Sequence, residues 1–122
     1  MTFKYFALSC EVDRTKEALR HQVRGDHLAF LDARKAQIHF GGPLTDLDGA
    51  PETMLIILRA ASAVEAAAFM TDEPYNRSGV FSRITVRPWV HILPEAQPGA
   101  LAQAIAAERA QSARPKPIME KA

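Results

Sequence analysis

His27 is the side chain in this sequence best suited to moving a proton at physiological pH, the range in which an imidazole ordinarily titrates. Leu19, Val23, His27, Phe30, Leu31 and Arg34 follow at steps of three or four, which places them along one side of a helix. An imidazole on such an apolar side has two readings. It is a core histidine satisfied by a neighbour, or an acid–base group oriented by a carboxylate. Arg24 lies one helical turn earlier, so its head reaches the same space as His27. There it would bind a substrate carboxylate or phenolate, or else lie in solvent or pair with Asp26. Asp72 and Glu73 stand immediately before Pro74, where a carboxylate commonly caps a short helix. His21 is expected on the exposed side of the same helix as His27, while His39 and His91 fall on strand-like segments. No histidine pair has the i, i+4 spacing of zinc or iron sites, so no metal is expected. Cys10 is the single cysteine, which rules out an intrachain disulfide or a cysteine-based metal site. Neither a glycine-rich dinucleotide loop nor a P-loop is present, so no cofactor is expected either.

The elements that must position these groups can be read in order. Thr2 to Cys10 is aromatic and apolar and too short for a helix, hence a strand. Asp13 is the expected N-cap of the long helix, with Gly25 inside it suggesting a kink or a close backbone contact. Gln37 to Phe40 reads as a second strand closed by a Gly41-Gly42-Pro43 turn. A loop from Thr45 to Glu52 follows, then a buried strand from Met54 to Arg59. Ser62 should cap an alanine-rich helix ending near Met70, and Thr71 to Gly79 is a polar connection. Val80 to Leu93 is the last strand, with Pro88 marking an edge or a bulge.

Strand, helix, strand, strand, helix, strand is the ferredoxin-like order: an α+β fold with two helices on one face of a four-stranded antiparallel sheet. Along the last strand Ile84, Val86, Val90 and Ile92 share one side. Phe81, Arg83, Thr85, Arg87, Trp89 and His91 share the other, a mixture suited to a partner or a ligand. A homodimer packed sheet to sheet is the simplest way to cover it. The expected organisation is a domain over residues 1–93 and a C-terminal helical extension over 94–122, its helix running from about Gly99 to Gln111 and its end marked by Arg114-Pro115-Lys116-Pro117.

Composition narrows the function classes. Fifteen basic residues against fourteen acidic ones leave no electrostatic footprint for nucleic acid. No apolar stretch approaches the length of a membrane span, and a cytoplasmic location is expected.

Four segments together resemble the YciI-like (YCII-related) family. Val23-Arg24-Gly25-Asp26-His27-Leu28 is similar to its Arg-x-x-His-Leu, and Phe40-Gly41-Gly42-Pro43-Leu44 to its Gly-Pro segment. Asp72-Glu73-Pro74-Tyr75 with Gly79-Val80-Phe81 resembles its Asp-Pro-Tyr and Gly-Val-aromatic stretch. Val86-Arg87-Pro88-Trp89 resembles its Val-basic-Pro-aromatic ending. The similarity spans roughly residues 3–93 and stops before the C-terminal segment. It implies a dimeric α+β barrel and a catalytic pair of a histidine, here His27, with an acid. The acid before Pro74 is Glu73 where the family has aspartate, with Asp72 one place earlier, and one extra methylene is enough to misplace a catalytic group. Asp72 is then the expected cap and Glu73 the expected partner of His27. Arg24, Tyr75, Gly42 and Pro43 are the expected substrate-binding residues, the last two as backbone requirements or as pocket lining.

Two functions follow. One is a cofactor-independent enzyme acting on a small molecule, a lyase or isomerase type of proton transfer or a dehydrochlorination, with His27 as acid or base oriented by Glu73 or Asp72. The other is a non-catalytic small-molecule-binding or accessory interaction module. A Glu73 carboxylate unable to approach His27, in a cleft filled by side chains, would favour the second.

Overall fold

The computed structural model describes residues 4–113. Thr2 and Phe3 of the expected first strand, and the expected Arg114 to Pro117 terminus, lie outside the described residues. The described chain divides into two units, one ending at Trp89 and one beginning at Val90.

In the first unit, β1 (Lys4–Val12) alternates strictly: Phe6, Leu8 and Cys10 are buried, and Tyr5, Ala7 and Ser9 point to the other face. It pairs on one side with β3 (Pro51–Ala60) and on the other with β4 (Phe81–Trp89), and β2 (Ile38–Thr45) lies outside β3. The sheet is four-stranded and antiparallel with order β2-β3-β1-β4. The register sets Phe6 beside Leu58 and Leu8 between Ile56 and Val86. These side chains meet α2 (Ala63–Phe69) and the inner side of α1 (Glu17–Ala33) in one core, which also takes in Met70, Tyr75 and Val80. Each fully buried aliphatic side chain there contributes about 1.5–3 kcal/mol. The open face of the sheet carries an aromatic group, Tyr5, His39, Phe40 and Trp89, in mutual ring contact.

Several local expectations need correction. Asp13 caps a short 3-10 turn, Arg14–Lys16, and α1 itself begins at Glu17. Gly25 sits in an unbroken helix with open space where a side chain would project, so no close contact explains it. Gly41, Gly42 and Pro43 do not form a turn but continue β2, because β3 starts earlier than expected and supplies backbone partners as far as Thr45. The true turn lies at residues 46–50, where the Asp46 carboxylate accepts from the N–H groups of Asp48 and Ala50, both at 2.9 Å. That bonding, led by Ala50, and the Arg14 guanidinium hold the Asp46 carboxyl below its ordinary pKa.

β4 stops at Trp89, so Val90, His91, Ile92 and Leu93 are not strand residues. Pro88 falls on an edge strand, where its missing N–H is tolerated. Phe81 lies in the core, 7 % exposed, rather than beside Arg83. A register shift between Glu11 and Val12 puts Phe81 opposite Val12 and turns it over. His39 and Phe40, neighbours on β2, are in ring contact at 4.3 Å where β2 also slips register.

In the second unit, α4 (Ala100–Ser112) begins after Gly99, whose φ of 84° is in the left-handed region that glycine adopts without strain. His91 contacts the Pro94 carbonyl within that unit.

Candidate functional site

α3 (Pro74–Arg77) is a single turn within the polar connection, and it organises the site. Proline at the first helical position fixes Glu73 as N-cap. Glu73 is fully buried, and its two oxygens do separate jobs. Oε2 accepts the Asn76 N–H at 3.1 Å, and Oε1 lies 2.5 Å from Nδ1 of His27. An ionised carboxylate only accepts, so Nδ1–H donates to it. The longer arm of glutamate is therefore accommodated: the capping bond anchors one oxygen and aims the other at the ring. Asp72, the expected cap, is exposed and lines clefts outside the His27 cavity, so it neither caps α3 nor reaches His27.

His27 is 4 % exposed, and Tyr75 stacks on it with ring centroids 3.8 Å apart and planes 10° from parallel. Tyr75 in turn meets Phe81 edge-on at 5.6 Å. The imidazole is thus fixed by a carboxylate at Nδ1 and an aromatic ring on its face. Among the described residues Nε2 has no hydrogen-bond partner, yet no buried side-chain nitrogen or oxygen there lacks one. Nε2 is therefore not wholly buried, and His27 lines a cavity of about 360 Å³.

Leu28 and Leu31 from α1, Ile38 from β2, Met54 and Ile56 from β3, and Phe81 from β4 give this cavity mostly apolar walls. Arg24, Tyr75, Gly42 and Pro43 all line it together with His27, so five of the expected residues meet at one place with Glu73 behind them. Neither Gly41 nor Gly42 takes a positive φ, so conformational freedom does not require glycine at either. A side chain at Gly41 would pack against Ile38 and the Leu55 carbonyl at 3.6 Å. Arg24 is exposed, and no hydrogen bond or ion pair holds it among the described residues, including any to Asp26.

Arg20 also lines the cavity and was not anticipated from the sequence. Its Nη2 and Nε donate to the Glu17 carboxylate at 2.7 and 3.0 Å. Glu17 first, and the Tyr75 hydroxyl after it, raise the Arg20 pKa against the desolvation of partial burial. The signal for it was present: Arg20, Arg24, His27 and Leu31 recur at steps of three and four, so Arg20 shares the side of α1 that carries His27. His21 lies outward, its ring 3.0 Å from Glu17. Among the described residues no three His, Cys, Asp or Glu side chains converge as a metal site would require.

Cys10 is fully buried, and burial first, with the Glu73 charge second, pushes its thiol up to about 12. It is consequently expected to resist iodoacetamide at pH 8 in the folded protein and to react on unfolding in urea, followed by mass spectrometry. Rapid labelling of the native protein would contradict its placement.

A ferredoxin-like sheet holding a histidine–carboxylate pair against an apolar cavity defines an α+β protein of the dimeric α+β-barrel type. The chain belongs to the YciI-like (YCII-related) family, whose YCII-related domain matches residues 4–90. No curated protein sequence matches the chain. Among solved structures it is similar to 5-chloro-2-hydroxyhydroquinone dehydrochlorinase from Burkholderia phenoliruptrix AC1100, in complex with 2,5-dihydroxybenzoquinone. That likeness has 26 % identity and a TM-score of 0.64, over 72 % of this chain and 95 % of the other. Rv0793 from Mycobacterium tuberculosis gives 13 % identity and a TM-score of 0.44, over 79 % of this chain and all of the other. No helix among the described residues is long and apolar enough to cross a membrane.

Proposed function

We propose that this protein is a cofactor-independent enzyme that transfers a proton on a small molecule, with His27 as the general base or acid and Glu73 as the group that orients it. The single observation behind the reading is the 2.5 Å contact between Glu73 and Nδ1, which leaves Nε2 facing a cavity. A base so fixed takes a proton at Nε2 while Nδ1–H stays on Glu73, and the resulting imidazolium lies beside a carboxylate. Arg24 steadies the negative oxygen that forms, and Tyr75 keeps the ring plane. Where the substrate carries chlorine on the adjacent carbon, the electron pair left by the departing proton expels chloride. That elimination is suggested by the dehydrochlorinase likeness.

The test is chloride release from 5-chloro-2-hydroxyhydroquinone by the wild-type protein beside His27→Gln, with circular dichroism to check the fold. The wild type is expected to turn over and the variant to lose about 10²–10⁴-fold. Equal rates in the two folded proteins would overturn the role of His27.

The reading places the functional domain at residues 1–93, with 94–122 as an extension, and the protein in the cytoplasm. It also takes the molecule as a homodimer packed through the open sheet face, for which the aromatic group around Trp89 and the 45 % exposure of Phe40 are the support. Sedimentation equilibrium measures that directly.

A further inference from the structure

We infer that the cavity selects ligands carrying one negative charge on a one- or two-ring apolar body, and that Arg24 alone reads the charge. The inference rests on the cavity being a ligand site, not on the reaction carried out there. Its titratable lining groups are Arg20, Arg24, His27 and Tyr75. Glu17 holds Arg20 through two donors, Nε and Nη2, and Glu73 holds His27. Arg24 has no such counter-ion among the described residues, so one uncompensated guanidinium stands beside walls of Leu28, Leu31, Met54, Ile56 and Phe81.

The physical consequence is discrimination by charge. Any apolar body seated against those walls strips water from Arg24. A neutral ligand leaves the guanidinium desolvated with nothing in return, whereas a carboxylate or phenolate replaces the lost water with a charge-assisted hydrogen bond. A dianion gains little more, because the other guanidinium is already neutralised. Size sets the second limit: an apolar cavity of about 150 Å³ takes one benzene ring, so about 360 Å³ admits one or two rings. The chemistry of Arg24 suits a carboxylate or phenolate, and the hold of Glu17 on Arg20 sets the limit of one charge.

The experiment is isothermal titration of the full chain with 2-naphthoate, its neutral isostere 2-naphthamide, and naphthalene-2,3-dicarboxylate. The naphthoate is expected to bind roughly 10- to 100-fold more tightly than the amide. Arg24→Gln should erase that preference with the fold intact. Glu17→Gln, an exposed change, should free Arg20 and strengthen the dianion relative to its binding by the wild type. His27→Gln should keep the naphthoate preference, so unchanged turnover in that variant with the preference intact would refute the proposed reaction alone. Equal binding of acid and amide, failure of both to bind at millimolar concentration, a preference surviving in Arg24→Gln, or a dianion bound by the wild type as tightly as naphthoate would each overturn the inference.

Discussion

Glu73→Ala is expected to lower the folding stability by roughly 3–5 kcal/mol, measured as a shift in the urea midpoint at unchanged slope. Two losses coincide there. The imidazole of His27 keeps its burial but loses its partner, and the Asn76 N–H loses its cap acceptor, the cap alone being worth about 1 kcal/mol. The first loss dominates, because a buried polar group without a partner bears its full desolvation cost. A change under about 1 kcal/mol would mean that the carboxylate contributes little to the fold.

Glu73→Gln separates orientation from stability. The amide oxygen can still accept from Asn76, so the cap survives, but the amide nitrogen now faces Nδ1 and donates to it. The ring is forced to place its proton on Nε2, on the cavity side, where a base needs a lone pair. The expected result is a near-native urea midpoint with turnover of 5-chloro-2-hydroxyhydroquinone reduced about 10²–10⁴-fold. The comparable change in a serine protease triad costs about 10⁴ for the same tautomeric reason. Full activity in Glu73→Gln would show that tautomer control is not what Glu73 supplies.

The parts of the site legible in the sequence are those set by periodicity within one element. His27 and Arg24 lie on α1 at a spacing that fixes their common direction, and both line the cavity. Elements that owe their shape to a neighbour were harder to read. Gly41-Gly42-Pro43 has the composition of a turn, yet β3 pairs with it and draws it into the sheet, where it forms a cavity wall. Strict alternation sets Phe81 beside Arg83, and one register shift beside Val12 reverses that. The double role of Glu73 was legible in principle. Pro74 at the first helical position makes Glu73 the cap, so a single carboxylate serves helix and histidine together. Spacing sets Arg20 on the His27 side of α1, but its place on the cavity wall is not legible from spacing, because that depends on the Glu17 clamp and on Tyr75 from another element.

The central claim is that Glu73 presets His27 as the Nδ1–H tautomer with a bare Nε2 turned to the cavity. Long-range proton–nitrogen correlation spectra of the ¹⁵N-labelled protein, taken at a pH where the ring is neutral, read this directly. Expected is a wild-type His27 with its proton on Nδ1, and the reverse pattern in Glu73→Gln. A wild-type ring carrying its proton on Nε2 would contradict the claim.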